Sequence, residues 1–354
     1  MKVDETFFIE EREVLKKLFV PISSILLTIL LLGCSEDVAP NPEPEGESVE
    51  KDEAAENIQK TTESEFAILK IGNQQFEIFS YYDAFDEYVA LAKEQPAELN
   101  DAYAQTIFQP FRQNAFDEKS VLEYINLIIF TPPQDIIPLQ SSLEALSDKE
   151  AEFQSAIEES LKKSAESLPG GNKTIHVFPA NPAFIHGGSP ELNASGVALN
   201  EEVMILFVHS SLETEELKHT VSHEYFHLID MEKGAFESST AESTLLESTI
   251  MEGKAVAFSL LNYPGINLSW ISNEDGKVTE QARNLFMEQK DSVEMGVWED
   301  FLNGNPVKGI PASANYIIGH EIMQSFLKNH PEIDVSEWLG MSAEEILAGS
   351  DFRE

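Results

Sequence analysis

The feature that most constrains the fold of this chain is a pair of histidines four residues apart, in "TVSHEYFHLID" at residues 220–230. The surrounding pattern predicts a helix that follows an apolar strand. Residues four apart on an α-helix lie about 40° from each other around its axis. His223 and His227 therefore project from one face on successive turns, and this spacing lets two imidazoles bind one zinc ion.

The ends of this helix are also predicted from the sequence. Ser210 and Glu213 have the spacing of a capping box, which predicts a start near Ser210. Glu213, Glu215 and Glu216 crowd the first turn, where the helix dipole favours negative charge. Gly234 predicts the C-terminal end, because glycine commonly follows the last helical turn.

Glu224 directly follows the first histidine and lies about 60° from His227 around the helix axis. It can therefore reach a water molecule on the metal without binding the metal itself. Zinc lowers the pKa of such a water to about 7, and a carboxylate can take its proton as it attacks a peptide carbonyl. The His-Glu-x-x-His pattern is typical of zinc metalloproteases. The alternative interpretation is an amphipathic helix with two solvated or core histidines.

A catalytic zinc site needs a third protein ligand. The next predicted helix offers three glutamates, Glu242, Glu247 and Glu252. Glu252 lies just beside the apolar arc of this helix, and Gly253 next to it allows close approach of another backbone. Both observations favour Glu252, and Glu247 remains the alternative.

A secretory signal is predicted over residues 1–33, where two lysines precede an apolar run from Leu18 to Leu32. The ending "LLGC" resembles the bacterial lipobox, so Cys34 is the predicted site of lipidation. An uncleaved membrane anchor is the alternative, although the run is shorter than the roughly 20 residues that a span requires. The acidic segment at the start of the chain is unusual for a signal, and a start near Val14 removes it.

The composition of the chain argues against nucleic acid as a partner and excludes an intramolecular disulfide. Its 63 acidic residues outnumber 23 basic ones, which gives a net charge of −40 and argues against binding of nucleic acid. Its single cysteine permits no intramolecular disulfide. Residues 34–62 are rich in Glu, Pro and Ser with almost no large apolar residue, so they are predicted to form a disordered acidic tether.

Two ordered parts are predicted after the tether. A helical N-terminal part over residues 63–169 opens with a hairpin around Gly72-Asn73. The part over residues 170–354 begins with three predicted strands, "KTIHVFPA", "SGVALN" and "EEVMILFVHSS". The fold class is therefore α+β, mostly helical, with a small β-sheet preceding the histidine helix.

A family resemblance adds to this interpretation. The pair "HEYFH" and "TLLESTIMEGKAVAF" resembles the YjaZ-like family of predicted zinc-dependent proteases, which are gluzincin-type peptidases often exported as lipoproteins. The strand "TIHVFPA" and the stretch "YIIG" on a late helix are also similar, and the likeness covers residues 170–352. It implies a zincin-like fold with His223, His227 and Glu252 as zinc ligands. It also implies that Glu224 is the general base.

A peptidase must also stabilise the oxyanion that develops on the attacked carbonyl. Tyr316 on the late helix is the residue chosen for this role, and His320 on the same helix is the alternative. The remaining histidines are interpreted as structural residues: His176, His186, His209, His219 and His330.

Together these observations predict an extracytoplasmic zinc peptidase that cleaves peptide or protein substrates and is lipid-anchored through Cys34 to a bacterial cell membrane. Two alternatives remain. One is a non-catalytic zinc-binding lipoprotein, in which a zincin-like fold has become a binding module; the presence of Glu224 counts against it. The other is a zinc hydrolase of a non-peptide amide, which the sequence does not separate from a peptidase.

Overall fold

The computed structural model describes residues 59–60, 66–116, 130–185, 195–234, 243–266 and 278–352. The predicted signal, Cys34 with nearly all of the tether, His186 and Glu242 lie outside these ranges. The described part is mostly helical with one mixed sheet, which confirms the α+β class. None of its helices combines the length and the apolar character needed to cross a membrane.

One six-stranded sheet lies in the described part, with the strands in the order β1-β2-β3-β4-β6-β5. β3, β4 and β6 run parallel, whereas β5 pairs antiparallel with β6 at the outer edge. The sheet therefore takes strands from both sides of residue 170. The strands are β1 (Gln59–Lys60), β2 (Phe66–Ile71), β3 (Gln74–Ser80), β4 (Lys173–Pro179), β5 (Ser195–Ala198) and β6 (Val203–Val208).

The hairpin predicted at Gly72-Asn73 is confirmed. β2 and β3 pair antiparallel with Ile71 opposite Gln74, which leaves a two-residue loop. Gly72 has a φ of +59°, a left-handed conformation that glycine adopts without steric cost.

Fourteen helical segments are assigned in the described part, one of them a π-helix. They are α1 (Tyr82–Glu94), α2 (Leu99–Tyr103), the π-helix (Ala104–Phe108), α3 (Gln109–Ala115), α4 (Ile136–Ser147), α5 (Glu150–Ser167), α6 (Pro182–Ile185), α7 (Thr214–Glu232), α8 (Leu245–Asn262), α9 (Glu280–Gln289), α10 (Met295–Asn303), α11 (Ala314–Asn329), α12 (Val335–Leu339) and α13 (Ala343–Gly349).

Helices cover both faces of the sheet. Side chains alternate between the faces along a strand, so Ile175 and Val177 of β4 point to one face and Phe178 to the other. We call α1–α4, including the π-helix, the N-terminal layer; it packs on the face of Phe178. We call α5, α7, α8 and α11 the C-terminal layer; it packs on the opposite face and carries the histidine helix.

The histidine helix α7 begins later than the sequence predicts. Its N-cap is Glu213, which makes no side-chain cap hydrogen bond, so the prediction of a capping box at Ser210 is wrong. The reason is a turn in which Leu212 donates its N–H to the carbonyl of His209. Residues 209–212 thus join β6 to the helix. The predicted C-terminal end is confirmed, since Gly234 follows the helix with a φ of +63°.

Candidate metal centre

Helix α7 is fixed to its neighbours by buried hydrogen bonds. Tyr225 donates its hydroxyl proton to the carbonyl of Leu168, just after α5, at 2.7 Å. Asn262 at the end of α8 donates Nδ2–H to the Ser222 hydroxyl at 2.9 Å. The second bond joins α7 to α8, and any site shared between these two helices depends on their relative position.

His223, His227 and Glu252 meet between α7 and α8. Glu252 Oε2 lies 3.2 Å from His223 Nε2 and 3.3 Å from His227 Nε2, and the two Nε2 atoms are 3.1 Å apart. Among the described residues this is the one group of three or more side chains suited to hold a metal ion. Zinc ligands lie at about 2.0–2.2 Å in a tetrahedron, which places neighbouring ligand atoms about 3.3–3.6 Å apart. The observed distances of 3.1, 3.2 and 3.3 Å lie at or just below this range, so the three atoms can occupy three corners of a zinc tetrahedron.

Charge interactions inside this cluster oppose the effect of burial. Burial lowers the pKa of His227, but the Glu252 carboxylate raises it, to about 9 overall. Burial likewise raises the pKa of Glu252, while His227 and His223 hold it well below its usual value. An ionised carboxylate beside two imidazoles is a donor set that zinc accepts.

The carboxylate of Glu247, the alternative ligand, is hydrogen-bonded at the start of α8. Its Oε2 accepts hydrogen bonds from the backbone N–H of Thr244 at 2.7 Å and from the Thr244 hydroxyl at 2.9 Å. The Glu247 N–H donates in return to the Thr244 hydroxyl, which completes a capping box. Glu247 therefore caps the start of α8 and lies outside the cluster. Its position three residues after Thr244 is the sequence pattern of such a capping box.

Glu224 lies beside the cluster and against the edge strand. It is 8% exposed, and its Oε2 accepts a hydrogen bond from the Ala198 N–H of β5 at 2.9 Å. A Cβ at Gly196 would lie 2.8 Å from Glu224 Cδ, so only glycine leaves room for this carboxyl. Burial raises the pKa of Glu224, and this outweighs the opposing effects of His223, His227 and the Ala198 N–H. The result is a more basic carboxylate than a solvated glutamate.

Helix α11 forms a further wall of the site. A Cβ at Gly253 would lie 2.8 Å from the Gly319 Cα, so α8 and α11 touch backbone to backbone. The predicted close approach at Gly253 is therefore confirmed, and the neighbour is α11. This contact places Tyr316, whose ring lies 6.3 Å from the His223 ring. His320 follows one turn later, and its buried Nδ1 has no hydrogen-bond partner within the described ranges.

Four of the histidines interpreted as structural are described, and each is hydrogen-bonded within the fold. The pairs are His176 Nδ1 with the Tyr81 hydroxyl, His209 Nδ1 with the Ser211 hydroxyl, His219 Nε2 with the Ser259 hydroxyl, and His330 Nδ1 with the Phe326 carbonyl. Ser259 gives its own proton to the Val256 carbonyl, so His219 is the donor in its pair. These bonds agree with structural roles.

The sequence did not predict the contact between strand β5 and Glu224. The strand itself was predicted, but its contact with Glu224 joins residues 26 positions apart through tertiary packing. The glycine of "SGVALN" was a weak signal, because a glycine inside a strand often marks close approach of another group.

Comparison with known proteins agrees with this site. A family model described as "Predicted Zn-dependent protease (DUF2268)" matches residues 153–348, which is more than half of the chain. The matched range contains α7, α8 and α11 together with β4, β5 and β6. The resemblance inferred from "HEYFH" and the following helix is thereby confirmed. No curated protein and no solved structure matches the chain.

Proposed function

This chain belongs to the family of predicted zinc-dependent proteases, and from that premise we propose that it is a zinc peptidase of the gluzincin type on a zincin-like fold. The observation that carries the proposal is the convergence of His223, His227 and Glu252 at 3.1–3.3 Å. The proposed metal ligands are these three residues. A zinc ion held there supplies a Lewis acid that polarises a carbonyl and lowers the pKa of a water molecule.

Glu224 is the proposed general base. Its Oε2 is held by the Ala198 N–H, so the carboxylate is oriented with Oε1 left to take a proton from the attacking water. The raised pKa of Glu224 brings its basicity closer to neutral pH, where proton transfer to a carboxylate is most effective. The same carboxyl can then deliver the proton to the leaving amine nitrogen.

Tyr316 is the proposed donor to the oxyanion that forms on the attacked carbonyl. Its phenol can donate one hydrogen bond, and its ring lies beside that of His223 at the cluster. His320, one turn further along α11, is the alternative donor. The close contact of α8 with α11 at Gly253 and Gly319 fixes both candidates relative to Glu252.

The outer edge of β5 is the proposed docking site for the substrate backbone. In an antiparallel pair, alternate residues direct their N–H and C=O groups away from the neighbouring strand. Leu199 donates its N–H to the Val203 carbonyl of β6, so Gly196 and Ala198 direct their backbone groups outward. The Ala198 N–H is already bonded to Glu224, which leaves the Gly196 N–H and C=O and the Ala198 C=O as the proposed contacts of the substrate. An extended peptide can add to such an edge as a further strand. This favours a peptide over a non-peptide amide, which lacks matching backbone groups.

We further propose that the chain is exported and lipid-anchored through Cys34 on the extracytoplasmic side of a bacterial cell membrane. The support is the order of lysines, apolar run and "LLGC" in the sequence, followed by the acidic segment over residues 34–62. Metabolic labelling with an alkyne fatty acid tests this. Label on the wild-type chain and none on Cys34→Ser supports the anchor, whereas an unlabelled wild type contradicts it.

The catalytic proposal is tested with the full chain and its Glu224→Gln variant, by metal analysis and by hydrolysis of a peptide library. We expect one zinc ion per chain in both proteins, and a rate about 10²–10⁴-fold lower in the variant because the general base is lost. Zinc in both proteins with no cleavage by either supports the binding-module alternative. Cleavage of non-peptide amides alone supports the other alternative, and a wild type without zinc contradicts the proposal.

A further inference from the structure

Lys254 is a buried lysine two residues after the proposed ligand Glu252, and it has no role in the function proposed above. It is 6% exposed. Its Nζ donates hydrogen bonds to the carbonyl of Leu339 at 2.8 Å and to the carbonyl of Met341 at 2.7 Å. A buried ammonium group is costly unless hydrogen bonds satisfy it, so these two bonds hold the side chain in one place. Lys254 therefore fixes α8 to the chain around residues 339–341.

This part of the chain joins α12 to α13, and we call residues 339–341 the C-terminal turn. Leu339 is the last residue of α12, where backbone carbonyls lack partners within the helix. A lysine side chain can bind such carbonyls at a helix end. Ser342, directly after the turn, begins α13 with a capping box. Lys254 thus satisfies the end of α12 from a position 85 residues earlier in the chain.

The histidine helix α7 is packed against the same segment. Trp338, the residue before the C-terminal turn, is fully buried, and its ring stacks on that of Phe226 with the centroids 5.4 Å apart. Phe226 directly precedes the proposed ligand His227, and its ring also lies 5.6 Å from that of Phe258 on α8. Helix α12 and the C-terminal turn therefore contact both helices that carry the proposed ligands.

Three consecutive residues hold α8 from three directions. Successive residues of an α-helix lie about 100° apart around its axis, so residues two apart point to nearly opposite sides. Glu252 faces the histidines of α7, Gly253 contacts the backbone of α11, and Lys254 reaches the C-terminal turn. A rotation of α8 that moved Glu252 away from the histidines would therefore also break the hydrogen bonds of Lys254.

We propose that Lys254 is a positioning residue of the metal site, which sets the rotation of α8 so that the Glu252 carboxylate lies against the two imidazoles. Glu252 Oε2 is 3.2 Å from His223 Nε2 and 3.3 Å from His227 Nε2. Zinc requires its nitrogen and oxygen ligands at about 2.0–2.2 Å, so a small displacement of the carboxylate weakens binding. Lys254 itself touches neither metal nor substrate, and the inference rests on the proposed metal site.

Zinc affinity and cobalt spectra of the full chain test this role. We would compare the wild type with Lys254→Met, which keeps an apolar stem but has no ammonium group. We expect zinc affinity, measured by chelator competition, to fall about 10-fold, the lower end of the effect of losing a group that supports a metal ligand. The visible absorption of Co²⁺ bound at the site should change as well, because it reports coordination geometry rather than stability.

Lys173→Met is the matched control. Lys173 is 2% exposed, and its Nζ bonds to Glu232 at the end of α7, outside the metal cluster. This variant also loses a buried ammonium group, so its stability should fall. Its zinc affinity and Co²⁺ spectrum should match those of the wild type. Thermal unfolding of the metal-free proteins measures the stability of both variants.

A zinc affinity and a Co²⁺ spectrum in Lys254→Met that change no more than in Lys173→Met would show that Lys254 only stabilises the fold, and would overturn the inference. If Lys254→Met does not fold, hydrogen exchange of the wild type with and without zinc decides, because coupling between two sites is reciprocal. Zinc should slow exchange of the amides of α12 and α13 more than that of the α1 amides. Slowing no greater than in α1 contradicts the inference.

The proposed function and this inference fail in different ways. A wild type that binds no zinc overturns both together. A wild type that binds zinc and cleaves peptides, with Lys254→Met unchanged in zinc affinity and Co²⁺ spectrum, overturns the positioning role alone.

Discussion

The two helical layers on opposite faces of the sheet bury different kinds of side chain. Among the described residues, α1–α4 of the N-terminal layer bury aromatic and aliphatic side chains and Thr106, but no charged group. The C-terminal layer buries charged groups within one small region, including Glu224, Asp230 and Lys254. Buried charge costs free energy unless it is paired or binds a metal. Its concentration on one face therefore marks the site and leaves the other face to packing.

Two buried histidines show the same contrast in single residues. His176 lies in aromatic surroundings, with the Phe79 ring at 5.3 Å and the Phe111 ring at 4.9 Å. Burial without a charge partner lowers its pKa to about 3. His227 is also buried, but the Glu252 carboxylate raises its pKa to about 9. A buried histidine by itself therefore says little about function, and its partners decide what it does.

The largest effect is expected from removing the carboxylate of the cluster. Glu252→Ala deletes one of three proposed ligands, so zinc affinity should fall by more than the roughly 10–100-fold seen when only a supporting partner of a ligand is lost. The matched control is Glu247→Ala on the same helix, which removes a capping box and should cost about 1 kcal/mol of unfolding free energy with zinc affinity unchanged. Chelator competition and chemical unfolding measure the two quantities. The reverse pattern would identify Glu247 as the ligand.

A pair of tyrosines, one beside each layer, sharpens the comparison. Tyr316→Phe removes the proposed oxyanion donor, and the hydrolysis rate should fall about 10²-fold with little change in stability. Tyr81→Phe removes the hydrogen bond to His176 at 3.0 Å and should cost about 1 kcal/mol of unfolding free energy with the rate unchanged. Steady-state kinetics and urea unfolding of both variants check this. An unchanged hydrolysis rate in Tyr316→Phe would indicate that His320 is the oxyanion donor.

The backbone contact between α8 and α11 is tested with two glycines. Gly319→Ala introduces a Cβ 3.0 Å from the Gly253 Cα, so the helices must separate, at a cost of about 1–3 kcal/mol of unfolding free energy. Hydrolysis should fall as well, because Tyr316 moves with α11. Gly296→Ala is the control, since its Cβ meets nothing within 4 Å. Equal stability of the two variants would show that the contact does not fix α11.

The smallest expected effect is a pH dependence of stability in the zinc-free chain. The pKa of His227 is raised above its unfolded value, so its contribution is present below about pH 6.5 and is lost as pH rises toward 9. The pKa of His176 is lowered, so stability is lost as pH falls from about 6.5 toward 3. Melting temperatures with a chelator should drop by a few degrees on each side. Glu252→Gln should flatten the alkaline side, and it should also weaken the decline below about pH 4.5, because the Glu252 carboxylate has a lowered pKa. His176→Gln should change the acid side and leave the alkaline side as in the wild type. A loss of the alkaline decline in His176→Gln, or its persistence in Glu252→Gln, would contradict this contrast.

Local patterns in the sequence predicted much of this molecule. The helical period placed His223 and His227 on one face, and β-rich apolar runs predicted the strands that precede them. The choice between Glu252 and Glu247 depended on how α8 packs, which a helical wheel does not contain. Long-range contacts were beyond the sequence for the same reason: the pairing of β3 with β4 joins residues 97 positions apart, from Phe76 to Lys173. Buried pairs such as Ser222 with Asn262 likewise exist only after two helices meet.

The central claim is that one zinc ion is bound by two imidazoles and a carboxylate shared between α7 and α8. X-ray absorption at the zinc edge of the zinc-loaded full chain tests it most directly. The claim predicts one zinc per chain, with nitrogen and oxygen neighbours at about 2.0–2.2 Å and the scattering pattern of two imidazoles. A sulfur neighbour at about 2.3 Å, which only Cys34 or a methionine can supply in this chain, or a chain that takes up no zinc, would contradict it.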